Sequence, residues 1–242
     1  MNRGGRAAVM LAVGAILGSL LWTGSFGSFV QQRMEWPLII ATAVLLVFGA
    51  FEAFVAKREE QDDPESARRS RGPVVGWLLI LPMVVLVSVA PTALGASAAD
   101  RVEAYSPTET SSGFDVLDDS DGPVELRVFD FLNRAVWDTD ESLDGVTVRL
   151  EGLVVNDDAL TDGFKLTRFL VSCCAADGIP LQVSLHGVDG AFENDAWVSI
   201  DLVWRSPDVP YQDTPTPWIV EADVVSISVI DDPPDSPYES PF

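Results

Sequence analysis

The chain has 242 residues, of which 48% are hydrophobic, with two cysteines and one histidine. Its charge is unevenly divided: residues 1–95 carry eight basic and seven acidic side chains, whereas residues 96–242 carry seven basic and thirty acidic ones. So acidic a polypeptide cannot replace the counterions of nucleic-acid phosphates, which excludes a nucleic-acid-binding protein. Two adjacent cysteines cannot cross-link a small secreted domain either, which excludes a disulfide framework.

Three apolar stretches are long enough to cross a membrane. A helix needs about 20 mostly apolar residues to cross a bilayer core about 30 Å thick, and residues 7–26 and 74–95 meet this condition directly. Residues 36–55 meet it if Glu52 lies near an interface or faces another helix. We therefore predict a membrane domain over residues 1–99 with three transmembrane helices.

The basic residues of the short loops predict the orientation of these spans. Arg3 and Arg6 precede the first span, five Lys and Arg residues lie between the second and third, and only Arg33 lies between the first two. Since Lys and Arg concentrate on the cytoplasmic side, we predict a multi-pass cell-membrane protein with a cytoplasmic N-terminus and an extracellular C-terminal domain. The alternative for residues 1–28 is a cleaved signal peptide, which would leave two spans and the same external domain.

The remaining residues change from linker to domain composition. Residues 100–123 are rich in Ser, Thr, Asp and Gly, which predicts an acidic flexible tether. From residue 124, apolar residues first recur at helical spacing up to residue 138. Five segments rich in β-branched and aromatic residues follow, bounded by Gly, Pro and Asp, and in three of them apolar and polar residues alternate. Residues 124–242 are therefore predicted to form an external β domain, a small closed barrel of the OB type. The overall fold class is membrane α plus all-β.

The acidity of this external domain has two interpretations. A negative field outside a membrane pore would concentrate cations and repel anionic head groups. The alternative is a background bias of the whole chain, which has two Lys against thirteen Arg.

Both cysteines lie in one turn, Cys173-Cys174-Ala175-Ala176-Asp177, and three interpretations compete. Adjacent Cα atoms stand about 3.8 Å apart, closer than an unstrained disulfide requires, so a vicinal disulfide would be reducible and redox-active. Alternatively, the two thiolates and the Asp177 carboxylate could ligate a transition metal, for which zinc is the candidate. In the third interpretation the cysteines are buried small side chains that fill one end of the barrel.

The single histidine is expected to lie away from this turn. If the segments on either side of the turn form a hairpin with Cys173 opposite Pro180, then His186 lies about 20 Å away along the strand and on its polar face. A four-ligand site that includes His186 and a Cys–His nucleophilic dyad are both disfavoured. The chain shows no phosphate-binding loop and no Ser–His–Asp set, so we predict that it is not an enzyme.

The sequence resembles the YcgQ-like family of bacterial membrane proteins over nearly its whole length, most specifically at the cysteine turn. The resembling positions are residues 24–30, Trp36, Pro37, residues 81–95, Gly152, Phe164, Arg168, Phe169, residues 173–177, Trp197, Val198, Pro237 and Tyr238. Members of this family are described as permease subunits that work beside YcgR-type permeases. The resemblance implies a non-catalytic accessory subunit of a polytopic permease, and a link to zinc homeostasis has been suggested for some members. The sequence departs from the family pattern in the acidic residues 100–145.

Two other function classes remain open at this point. One is a redox-responsive surface protein that uses the vicinal cysteines. The other is a cell-wall or glycan-binding membrane anchor, suggested by Trp197, Trp204 and Trp218 on an external domain, although their strand-like segments favour a core position.

Overall fold

The computed structural model describes residues 3–62, 93–108, 113–188, 190–231, 234 and 236–241. The chain divides into two compact units, residues 1–92 and residues 93–242.

The first unit contains two long apolar helices, α1 (Arg3–Thr23) and α2 (Glu35–Asp62), joined by 3-10 turns at Ser25–Ser28 and Gln32–Met34. Glycines let the two helices pack closely: a Cβ atom on Gly14 would stand 2.8 Å from Leu46 Cδ2, and one on Gly49 would stand 2.9 Å from Leu11 Cγ. Small residues at a helix contact are typical of membrane helix pairs.

Both helices meet the length and composition of a membrane span. The qualifying segments are Gly4–Thr23, with a mean hydropathy of 1.7, and Gln32–Arg58, with 2.4, and only 11% of each is buried. These segments coincide with the first two predicted spans. The predicted third span, residues 74–95, lies outside the described residues except for residues 93–95, so a count of three helices is not confirmed.

The second unit is a closed five-stranded barrel, as predicted. Its strands are β2 (Thr147–Val155), β3 (Lys165–Leu170), β4 (Ile179–His186), β5 (Trp197–Arg205) and β6 (Val220–Val229). The barrel order is β2-β5-β6-β4-β3, and β3 pairs again with β2 to close it. The β4–β6 pairing is parallel and the other four are antiparallel.

One helix packs against the barrel strands. Helix α4 (Val128–Trp137) buries apolar residues at the spacing of a single helix face, namely Val128, Phe131, Leu132, Ala135 and Val136. These side chains join the barrel interior in one core. The helix begins later than the periodicity predicted, because β1 (Val124–Glu125) instead pairs in parallel with β2.

Part of the predicted tether, residues 100–123, is packed on the barrel. The Tyr105 N–H donates to the Pro180 carbonyl at 2.8 Å, and the Tyr105 ring lies 5.5 Å from the Phe129 ring. The Thr147 N–H donates to the Asp119 carboxylate at 2.9 Å. A few anchoring side chains thus order a segment whose average composition indicates a linker.

The last residues that the structure describes are also part of the domain. Strand β7 (Tyr238–Glu239) pairs in parallel with β3, and both of its side chains are buried. Tyr238 belongs to a second small core outside the barrel, together with Phe169 and the short helix α3 (Ala96–Ala99).

Candidate metal centre

The two cysteines lie in the connection between β3 and β4. The register pairs Phe169 with Pro180 and Leu170 with Ile179. The predicted pairing of Cys173 with Pro180 is therefore wrong, because residues 171–178 leave the ladder to form a longer loop. This loop contains a 3-10 helix at Ala175–Asp177, with Cys174 at its N-cap.

The Asp177 carboxylate organises the loop. Its Oδ1 accepts the Ser172 N–H at 2.9 Å, and its Oδ2 accepts the N–H groups of Cys173 and Cys174 at 2.9 and 3.4 Å. The Cys173 thiol also donates to Oδ2, at 3.0 Å. Backbone N–H groups at the start of a helical turn lack hydrogen-bond acceptors within the helix, and here the Asp177 carboxylate is their acceptor.

The sulfur atoms stand at a separation that suits a tetrahedral metal. Cys173 Sγ and Cys174 Sγ are 3.8 Å apart. With a Zn–S bond of about 2.3 Å and a tetrahedral angle, two thiolates on one zinc ion stand about 3.8 Å apart. The potential ligand atoms of Cys173, Cys174 and Asp177 all lie within 4.8 Å of one another. A donor set of two sulfurs and one carboxylate suits zinc and leaves a fourth coordination position open.

The protonation of the loop follows from the same hydrogen bonds. The hydrogen bond to Asp177, reinforced by that to Cys174, raises the pKa of the Cys173 thiol to about 11. Partial burial acts to raise the pKa of Asp177, but its hydrogen bonds from Cys173, Ser172 and Cys174 outweigh that effect, so the pKa lies below its usual value. At neutral pH the proton therefore sits on sulfur, and a metal ion would have to displace it.

The exposure of the cysteines contradicts the packing interpretation. Cys173 is exposed and Cys174 is half-buried, so neither fills the end of the barrel. Both are free thiols. The pair is thus reachable from solvent, as metal binding and thiol oxidation both require.

His186 lies apart from the cysteine loop, in agreement with the sequence spacing. It ends β4, whereas the loop precedes that strand. His186 Nδ1 is 3.2 Å from Asp162 Oδ1, and Nε2 is 3.7 Å from Glu221 Oε2. It therefore contributes to a polar cluster on the barrel wall and not to the candidate metal centre.

The three tryptophans of the glycan hypothesis are partly buried. The Arg168 guanidinium lies 4.8 Å from the ring centroid of Trp197. Trp204 and Trp218 pack against the main core. The Trp218 ring also meets, edge-on at 5.6 Å, the ring of Trp137, the last residue of the amphipathic helix α4. The helical spacing predicted the place of Trp137 but not this contact, which depends on how the connection from β5 to β6 folds back.

Comparisons of this chain with protein-family models, curated proteins and solved structures found no match.

Proposed function

We propose that this chain is a non-catalytic, membrane-anchored accessory subunit of a polytopic permease, with an external OB-type barrel that binds a transition metal. Zinc is the metal that we propose for the Cys173, Cys174 and Asp177 loop. The observation that carries the proposal is the 3.8 Å separation of the two sulfurs beside an ionised carboxylate. The resemblance of the cysteine turn to the YcgQ-like family supports the assignment to a permease.

The exposed apolar surface of the two N-terminal helices supports the membrane anchor. The outward side chains of α2 include Ile40, Val47, Phe48 and Phe51, which are 58–67% exposed. Apolar surface of this extent is unfavourable in water and is stable in a lipid bilayer. The proposed orientation, with a cytoplasmic N-terminus and the barrel outside the cell, rests on the basic residues of the short loops.

The exposure of the cysteine loop favours delivery of the metal ion to a partner over its permanent storage. A structural zinc site has four protein ligands, whereas this loop offers three and leaves one side to solvent. A partner could supply the fourth ligand and then remove the ion. An acidic barrel would also raise the local concentration of cations near such a partner.

Metal content of the full chain tests this proposal. The protein is purified in a nonionic detergent under reducing conditions, loaded with zinc, desalted and analysed for zinc per chain. We expect about one zinc per wild-type chain and none in the Cys173→Ser/Cys174→Ser variant. The matched control is Asp158→Asn, which removes an exposed carboxylate elsewhere and should keep the metal. Zinc retained by the double-cysteine variant, or absent from the wild type, would refute the proposal.

A redox function of the vicinal cysteines is the alternative, and the protonation of Cys173 disfavours it. A thiol with a pKa of about 11 is almost fully protonated at neutral pH, whereas thiolates are the reactive form. Thiol titration with and without reductant separates the two functions. Two thiols that never oxidise would eliminate the redox function.

A further inference from the structure

A cavity of about 650 Å³ lies between the end of helix α4 and the proline-rich connection from β5 to β6. Cavities of about 300–1,000 Å³ are typical of small-molecule sites. It is formed by other residues than the cysteine loop and is independent of the proposed metal function.

Aromatic side chains from three parts of the domain contribute to its lining. Trp137 comes from the end of α4, Trp204 from β5 and Tyr211 from the connection. Trp137 is held by its edge-on contact with Trp218, and Tyr211 is only 7% exposed. These rings are therefore fixed by the domain core and do not need to be ordered by a ligand.

The opening of the cavity is acidic. Asp138, Asp140 and Glu141 line it, and no basic side chain is among the lining residues that the structure describes. The Asp138 carboxylate holds the turn, because it accepts the N–H groups of Asp140 and Ser142 at 3.0 and 3.1 Å. Asp140 and Glu141 themselves are exposed.

The three carboxylates directly follow the C-terminal end of helix α4. The C-terminal end of a helix carries partial negative charge, which disfavours nearby carboxylates and favours a cation. The basic residue of the last turn, Arg134, offsets part of this charge. Its guanidinium lies 5.1 Å from the Phe114 ring centroid and donates to the Asp115 carbonyl at 2.7 Å and to Ser142 Oγ at 2.9 Å.

We propose that this cavity binds a small organic cation, an ammonium group on a compact apolar body. Tryptophan and tyrosine faces attract such a group through their ring quadrupoles, while Asp140 and Glu141 supply opposite charge at the opening. A neutral ligand of the same shape would use the aromatic walls but would leave the carboxylates uncompensated. The positive charge of the ligand is therefore the property that the cavity recognises.

Calorimetric titration of the full chain with choline tests the proposal, in a nonionic detergent that carries no choline head group. The comparison ligand is 3,3-dimethylbutan-1-ol, which has the same shape and no charge. We expect saturable binding of choline below roughly 50 mM and no saturation by the alcohol. Equal binding of the two ligands, or no binding of choline, would overturn the proposal.

Two charge variants separate the cavity from the acidic surface in general. Asp140→Asn/Glu141→Gln changes exposed residues at the opening and should weaken choline binding about tenfold. Asp121→Asn/Asp158→Asn removes the same charge outside the cavity and should leave affinity within about twofold. An equal loss in both variants would show non-specific attraction and contradict a site at this cavity.

Discussion

Asp177 determines both the shape and the chemistry of the cysteine loop. The sequence identified Cys173, Cys174 and Asp177 as one group because both cysteines of the chain lie there. It did not predict that the carboxylate would accept three backbone N–H groups, because this depends on where the β3–β4 ladder ends. The Cys173 thiol donates to the same carboxylate, and this hydrogen bond chiefly raises its pKa and keeps it protonated, so loop geometry and thiol reactivity are coupled.

Replacement of Asp177 should therefore activate Cys173. In Asp177→Asn the thiol loses its strongest stabilising acceptor, and its pKa should fall from about 11 toward the ordinary cysteine range. We expect alkylation of the Cys174→Ser background at pH 8 to become on the order of tenfold faster. The variant should also lose about 1 kcal/mol of stability with the turn-capping carboxylate. An unchanged alkylation rate would show that the thiol does not depend on this hydrogen bond.

At the scale of elements, the alternating segments were predictable and the terminal pieces were not. Strands β2, β4 and β5 carry mostly apolar residues at alternate positions over eight or nine residues, which gives a clear period, and strands β3 and β6 contain many apolar and β-branched residues. Strand β7 has two residues, so no period exists, and its pairing is set by the burial of Tyr238 and Glu239. The two oxygens of Glu239 accept the N–H groups of Val128 and Phe129, each at 2.9 Å, at the start of α4.

Glu239 also faces the buried Arg168, whose Nε lies 3.8 Å from Glu239 Oε1. Glu239→Gln should destabilise the protein by about 3 kcal/mol, because the buried Arg168 guanidinium loses its nearest counter-charge. Arg168→Met/Glu239→Gln should recover part of this loss, since the unpaired charge is then removed. Chemical denaturation of the three proteins measures both quantities. A double variant less stable than Glu239→Gln would show that Arg168 stabilises mainly through its contact with Trp197.

A surface ion pair across β2 and β5 gives the domain a predictable pH dependence. Arg149 lies opposite Asp201 and donates to its two oxygens at 2.7 and 3.0 Å. The hydrogen bond from Arg149 chiefly, with that from Ser226, lowers the pKa of Asp201 below its usual value. A carboxyl with a lowered folded-state pKa contributes stability above its unfolded pKa of about 3.9 and loses that contribution as the pH falls through the folded value.

The melting temperature of the wild type should therefore exceed that of Asp201→Asn by a constant margin between about pH 8 and pH 5. That margin should shrink below about pH 4 as Asp201 becomes protonated. Asp158→Asn, which changes an exposed carboxylate, is the control for general charge effects. A margin that persists unchanged into strong acid would mean that Asp201 contributes by packing and not by charge.

At the scale of the whole molecule, the N-terminal unit and residues 96–242 differ sharply in their content of charged residues. The N-terminal unit has apolar helices with few charges, whereas residues 96–242 carry thirty acidic side chains against seven basic ones. Most of those basic side chains are already engaged, for example in the Arg149–Asp201 and Lys165–Asp157 pairs. The surplus acidity is therefore spread over the barrel surface, where it suits solvent and not a bilayer. Composition alone predicted this division, because burial and charge are summed over many residues.

Chemical labelling of the two native cysteines tests the proposed membrane orientation directly. They are the only thiols of the chain, and Cys173 is exposed on the barrel. If the barrel lies outside the cell, a membrane-impermeant maleimide should label intact cells that express the full chain, once a chelator has removed any bound metal. Labelling at pH 8.5 for an extended time offsets the slow reaction of a thiol whose pKa is about 11.

The matched reporter is Ser66→Cys in the Cys173→Ser/Cys174→Ser background. Because residue 66 lies among the basic residues of the 56–72 loop, it should be cytoplasmic and react only after permeabilisation. The reverse pattern would place the barrel in the cytoplasm, where an external metal-delivery function is impossible. Labelling of both positions in intact cells would contradict the presence of a membrane span between them, and the third predicted helix would then have to be abandoned.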